Sequence, residues 1–127
     1  MKSVKFVSVI GVVAGYSGND MLLKAQEVAP DAMSKAWQQA AKEVFDDTGI
    51  YVSSNVTPSK TVYHEEWGCP IGGEPTFMIE GCLNPQFGEV EPWKEAVVKC
   101  VKKVKKAFGQ STVTVEFSEI DHVYLTD

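Results

Sequence analysis

The stretch from Thr61 to Cys69, TVYHEEWGC, carries reactive side chains where a buried strand would carry core residues. It combines a histidine, two carboxylates, a phenol, an indole and a thiol. Histidine, glutamate and tyrosine are the side chains that most often move protons in enzyme sites. This stretch is therefore the first candidate for a catalytic or ligand-binding site.

A second strand-like run, Glu74 to Leu83, follows a turn-forming PIGG sequence, so the two runs are expected to pair as a hairpin. Because side chains alternate along a strand, the register of pairing decides which groups meet. One register places Glu65 opposite Glu80 as a pair of like charges. A slip of one residue places His64 opposite Glu80, which suits general base catalysis. The sequence leaves both registers open.

These patterns define a predicted site on one sheet face. The predicted catalytic residues are Glu80, Glu65, His64 and Tyr63. The predicted ligand-binding residues are Trp67, Glu66, Glu116, Met78 and Cys69. The alternative is that they coat a solvated face without function. Their spacing matches no known ligand pattern, so neither a metal nor another cofactor is predicted.

The composition limits the classes of partner. With 127 residues the chain, 1–127, is expected to form a single domain. Its net charge is −5, and all 12 basic residues are lysines. Arginine, the preferred donor to phosphates and guanine edges, is absent. We therefore predict no nucleic-acid partner, and interpret the lysine-rich segment 94–106 as a solvated helix face.

The apolar runs and the cysteines indicate in which cellular compartment the protein is expected. No apolar run reaches the ~18 residues that cross a membrane, so no membrane partner is predicted. The run Phe6 to Ala14 follows two lysines, as in a signal peptide, but lacks a small-x-small cleavage site and fits a buried first strand better. The three cysteines match no zinc spacing and are expected to be reduced thiols in a cytoplasmic protein.

Hydrophobic periodicity predicts the elements. They are a strand at 4–13, a helical region at 20–47 divided at Pro30, a strand at 50–56, a break at 57–60 that contains Pro58, the hairpin at 61–83, a helix from Pro92 to Phe108, a strand at 112–117 and a short edge strand at 122–125. Each helix is predicted to bury one apolar stripe: Met33, Trp37, Ala40, Ala41 and Val44 in the first, and Trp93, Val97, Cys100, Val101, Val104 and Phe108 in the second. This order predicts an α+β fold: a β-α-β-β-α-β two-layer sandwich with a mixed four-stranded sheet and two helices on one face. The glycine-rich passage at 11–18 fits no phosphate-loop spacing.

The layout resembles the tautomerase superfamily, including 5-carboxymethyl-2-hydroxymuconate isomerase and macrophage migration inhibitory factor. The resemblance rests on the helix end Thr48-Gly49-Ile50, the GGEP turn at 72–75 and the run Val113 to Phe117. It implies a trimer with sites between subunits and a catalytic N-terminal proline. Lys2 occupies that position here, so a different base, Glu80 or His64, would be required. The same order also suits ferredoxin-like dimers.

The sequence thus favours a homo-oligomer, trimeric or dimeric, that presents an acidic, aromatic-edged pocket to a small neutral or cationic molecule. The first functional hypothesis is ligand binding without chemistry. The second is an isomerase or related lyase in which a carboxylate or histidine moves a proton.

Overall fold

The structure of the protein, a computed structural model, describes residues 1–13 and 31–127. Its elements are β1 (Lys2–Gly11), α1 (Ala32–Thr48), β2 (Asn55–Thr61), a 3-10 helix (Glu65–Trp67), β3 (Glu74–Cys82), α2 (Val90–Ala107) and β4 (Glu116–Asp121). The predicted helical piece at 20–30 and most of the glycine-rich passage lie outside the described residues.

The four strands form one sheet in the order β2-β3-β1-β4. This confirms the predicted α+β two-layer sandwich with two helices. The predicted mixture of parallel and antiparallel strands is wrong, because β1 pairs antiparallel with both β3 and β4, and β2 pairs antiparallel with β3. The element order and the sheet correspond to the ferredoxin-like alternative.

The core lies between the sheet and the two helices. Phe6 of β1 is fully buried, stacked on Trp37 of α1 with ring centroids 5.6 Å apart and tilted against Trp93 of α2 at 5.9 Å. The apolar stripe predicted for α1 is the buried stripe: Met33, Trp37, Ala40, Ala41 and Val44. Trp93 is likewise a core residue. These three aromatic rings, one each from β1, α1 and α2, therefore fix the positions of the two helices on the sheet.

Two strand boundaries differ from the predictions. The segment 50–54 is outside the sheet because α1 covers it: the Trp37 indole N–H donates to the Val52 carbonyl at 3.0 Å. Strand β2 instead runs through Pro58, which was predicted to break it. Because β2 is an edge strand, proline can lie there without costing a ladder hydrogen bond.

The strands at the C-terminal end of the chain also differ from their predicted bounds. β4 begins at Glu116, and the residues before it connect through the Thr114 carbonyl, which accepts a hydrogen bond from Ser8 Oγ at 2.9 Å. The edge strand predicted at 122–125 is not formed, although the His122 N–H donates to the Met1 carbonyl at 2.7 Å.

The three cysteines are free thiols in different surroundings. Cys100 is completely buried in the core, and burial raises its pKa to about 11. Since the thiolate is the reactive form, Cys100 is expected to be inert at pH 8. In the native protein we expect one thiol, the exposed Cys82, to react rapidly with a chromogenic disulfide reagent, with Cys69 and Cys100 reacting only after denaturation. Rapid reaction of all three would contradict this burial pattern.

Candidate functional site

One face of the sheet carries the helices, and the described residues place no helix or strand on the other, which we call the open face. Residues that pair across strands point the same way, so β1 and β3 present matching rows to this face. These residues are Lys5, Val7, Val9 and Gly11 from β1, and Glu74, Thr76, Met78, Glu80 and Cys82 from β3. The open face is therefore where a ligand or another subunit can contact the sheet.

The structure brings three predicted site residues, Glu80, Met78 and Glu116, to the open face. Glu80 pairs with Val7 in β1, and Val7 pairs with Glu116 on its other side. The Glu80 carboxylate lies 3.2 Å from Lys5 Nζ, so its charge is already compensated.

The Lys5–Glu80 ion pair is expected to contribute little to stability. Both side chains are more than a third exposed, at 40% and 35%, which screens their attraction. Lys5→Gln is expected to lower the free energy of unfolding by less than about 1 kcal/mol. Urea unfolding at low and high salt measures this, and a larger loss that persists at high salt would contradict it.

The predicted hairpin registers are both wrong. Glu80 pairs with Asn55, and the predicted partners Glu65 and His64 lie outside the sheet. Glu65, Glu66 and Trp67 form the 3-10 helix, which starts because His64 Nδ1 accepts a hydrogen bond from the Glu66 N–H at 3.1 Å. This local cap competes with strand formation. All four side chains are exposed, and the His64 and Trp67 rings are 5.6 Å apart.

Tyr63 and Cys69 hold the loop that contains the 3-10 helix. The Tyr63 N–H donates to Cys69 Sγ at 3.5 Å, and the Cys69 thiol donates to the Pro70 carbonyl at 3.3 Å. Cys69 is buried, which fits a structural thiol. The Tyr63 hydroxyl oxygen is buried as well, two residues beyond the end of β2. Tyr63 therefore turns inward near the end of the sheet where β1 also ends.

That end of the sheet contains a carboxylate absent from the predicted site. Gly72 and Gly73 have positive φ angles of 90° and 101°, a conformation that lets the chain turn directly into β3. Glu74 is the first residue after this turn, pairs with Thr61 of β2 and is half-buried. Among the described residues no side chain forms an ion pair or hydrogen bond with its carboxylate. Glu74 is thus a carboxylate available to a cationic ligand.

Two further side chains border Glu74. A Cβ built on Gly11 would lie 2.9 Å from Glu74 Oε1 and 2.7 Å from Gln110 Oε1. Gln110 is held in this orientation because its Nε2 donates to the Val13 carbonyl at 2.8 Å and to the Phe108 carbonyl at 3.1 Å. The end of β1, the start of β3 and the residues after α2 therefore meet at one point, which we call the Glu74 site.

Hydroxyl groups continue the Glu74 site along the sheet. Thr76 is buried, and its Oγ1 lies 2.8 Å from Ser59 Oγ and 3.1 Å from Thr61 Oγ1. Thr76 pairs with Gly11, and Thr61 pairs with Glu74. The site thus offers one carboxylate, one fixed amide oxygen and a chain of hydroxyls, a set suited to a small ligand that is positively charged and polar.

A cavity of about 360 Å³ lies at the opposite end of the sheet. Tyr51, Phe87 and Trp93 supply its aromatic wall, and Glu89 is the acid among its described lining residues. Phe87 is 76% exposed. β3 advances about 3.3 Å per residue, and Cys82, which lines this cavity, follows Glu74 by eight residues, so the cavity and the Glu74 site are on the order of 25 Å apart. Ser53 and Asn84 add polar groups to the lining of this aromatic cavity.

In residues 1–13 and 31–127, no three His, Cys, Asp or Glu side chains are grouped to hold a metal ion. Neither described helix has the length and apolar character needed to span a bilayer.

The comparisons with known proteins define the family. The model of the family described as SAM lyase matches residues 1–126, so the chain belongs to the SAM lyase family. This corrects the tautomerase resemblance. No curated protein sequence matched the chain.

Two solved structures share the fold. One is a phage SAM lyase in complex with S-methyl-5'-thioadenosine, with a TM-score of 0.62, 14% identity and coverage of 92% of this chain and 81% of that chain. The other is a phage SAM lyase in the apo state, with a TM-score of 0.59, 13% identity and coverage of 93% and 81%. At these identities the likeness concerns the fold alone.

Proposed function

We propose that this chain cleaves S-adenosylmethionine at the bond between sulfur and the methionine Cγ, releasing S-methyl-5'-thioadenosine. The match of the SAM lyase family over residues 1–126 carries the proposal. The substrate has a sulfonium, an ammonium and one carboxylate, so its net charge is positive. The Glu74 carboxylate, which has no side-chain partner within residues 1–13 and 31–127, and the arginine-free, acidic composition support binding of such a cation.

The cleavage can proceed without a protein nucleophile. The substrate's own carboxylate attacks Cγ and forms a new C–O bond while the Cγ–S bond breaks. The electron pair of that bond goes to sulfur, which becomes a neutral sulfide. The products are S-methyl-5'-thioadenosine and a five-membered lactone that keeps the ammonium, so no water or proton is consumed. Folding the methionine part into a near-attack conformation is then the main task of the site.

This chemistry suggests where Glu74 acts. The attacking carboxylate and the sulfonium lose their opposite charges together, so a polar partner at either group would stabilise the reactants more than the transition state. The ammonium keeps its charge throughout. Glu74 is therefore assigned to the ammonium, where it anchors the methionine part and leaves the reacting atoms away from charged side chains.

A second route remains open for the predicted base Glu80. A base could remove a Cβ proton and expel the sulfide, giving an alkene rather than a lactone. Glu80 is tied to Lys5 and lies six residues along β3 from Glu74, on the order of 20 Å away. It would have to act on a substrate held elsewhere on the open face, and the predicted dimer or trimer would determine what covers that face.

The test is incubation of the purified protein with S-adenosylmethionine deuterated at Cβ, followed by mass spectrometry. The lactone route yields S-methyl-5'-thioadenosine and a product that retains both deuterons. Loss of one deuteron would favour the elimination route. Binding without either product would reduce the function to ligand binding, and absence of both binding and turnover would refute the proposal.

A further inference from the structure

The space over Gly11 is bordered by two oxygen acceptors from distant parts of the chain. Glu74 Oε1 and Gln110 Oε1 lie 2.9 and 2.7 Å from the point where a Gly11 Cβ would be. Both distances are shorter than ordinary carbon–oxygen contacts, so any side chain at position 11 would have to push the ends of the Glu74 and Gln110 side chains out of their present positions. Gly11 does not have a positive φ, so its role here is space rather than backbone conformation.

Gln110 can offer only an acceptor to this space. Its amide nitrogen already donates to the Val13 and Phe108 carbonyls, so its oxygen faces Gly11 and Glu74. The hydrogen bond to Val13 also ties Gln110, three residues beyond α2, to a residue two positions beyond β1. The amide oxygen is thereby fixed rather than free to rotate.

Resting on the proposed function, we propose that Gln110 and Gly11 act as specificity-determining residues that turn Glu74 into a subsite for the substrate's α-ammonium group. An ammonium has three N–H donors and can bond both oxygens at once. A sulfonium has no N–H and gains only charge attraction. The pair therefore selects compounds with a free amine, and an analogue that lacks the amine binds more weakly.

Binding of two non-reacting compounds tests this subsite. They are S-adenosylhomocysteine, which has the ammonium and a neutral sulfur, and its desamino analogue, which has neither cation. By titration calorimetry we expect the native protein to prefer S-adenosylhomocysteine about tenfold or more. Gly11→Ala adds a methyl group that must displace the Glu74 and Gln110 oxygens without changing charge, and it is expected to reduce this preference to about twofold or less by weakening the binding of S-adenosylhomocysteine alone.

A matched control and a second variant complete the design. Gly88→Ala adds the same methyl group near Leu83 Cδ1, at the other end of the sheet, and should leave the preference unchanged. Gln110→Met keeps the side-chain length but removes the acceptor together with the two N–H donors that hold it, and should also lower the preference. Circular dichroism verifies that each variant is folded. An unchanged preference in folded Gly11→Ala or Gln110→Met would overturn the subsite.

The outcomes separate this inference from the proposed function. If the native protein shows the ammonium preference but does not cleave S-adenosylmethionine, the subsite is supported and the lyase proposal is refuted. If the native protein cleaves the substrate and both variants retain the native preference, the lyase proposal is supported and the subsite is refuted.

Discussion

Glu74→Gln is expected to lower kcat/KM for S-adenosylmethionine about 10- to 100-fold, which corresponds to the loss of about 1.5–3 kcal/mol from a charged hydrogen bond. The ammonium carries the same charge in the bound substrate and in the transition state, so the lost interaction stabilises both. The change should therefore appear mainly as a higher KM, with kcat reduced less. Steady-state kinetics across a wide substrate range measures both parameters.

Two other variants serve as a control and as a test of the alternative carboxylate. Glu119→Gln makes the same change of charge on the exposed edge strand β4 and should leave both parameters close to native. Glu80→Gln tests the other open-face carboxylate. A kcat that collapses in Glu80→Gln while Glu74→Gln resembles the native protein would transfer the chemistry to Glu80 and refute the assignment of Glu74.

The helices could be predicted from the sequence because their signals are local. Five residues at helical spacing in α1 are the five that the structure buries, and Gly49 ends that helix with a φ of 78°. In α2 the predicted stripe is buried from Trp93 to Val104, with Ala96 added, whereas its last predicted member, Phe108, is only partly buried against the core. The spacing of apolar residues along a helix indicates which face packs against the core, and this signal does not depend on the order of the strands in the sheet.

The hairpin could not be predicted because two opposing local signals occupy the same stretch. The alternation from Thr61 onward suggests a strand, but the His64 ring caps the following turn and starts the 3-10 helix. Because the residues from His64 onward leave the sheet, the strand that pairs with β3 is formed by earlier residues, and Glu80 faces Asn55. Pro58 was treated as a break because its place on an edge strand depends on the order of the whole sheet.

Glu74 was missed for a different reason. It lies in the GGEP turn, where the sequence signals only a change of direction. Its importance depends on Gly11 and Gln110, residues far away in the chain that strand pairing and the end of α2 bring together. An acid directly after two glycines at the start of a strand was the available signal.

Phe6→Ala is expected to lower the free energy of unfolding by about 3–5 kcal/mol, the cost typical of removing a fully buried aromatic side chain. Phe6 is completely buried, stacks on Trp37 and contacts Trp93. Its ring also covers Gly81 in β3, where a Cβ would lie 3.0 Å from Phe6 Cε1. The cavity therefore touches both helices and the neighbouring strand, and little of it can close by local movement. Urea unfolding followed by tryptophan fluorescence and circular dichroism measures the loss.

The consequence for the site follows from the position of Phe6 on β1, the strand that ends at Gly11. Domains of this size have about 5–15 kcal/mol of stability, so Phe6→Ala removes a large share of it. Phe45→Ala, at an aromatic residue that is 47% exposed on α1, should cost less than about 1 kcal/mol and serves as the control. Equal losses in the two variants would contradict a core centred on Phe6. If Phe6→Ala stays folded at low temperature and binds S-adenosylhomocysteine as the native protein does, the Glu74 site is positioned by strand pairing and the Gln110 hydrogen bonds rather than by packing under β1.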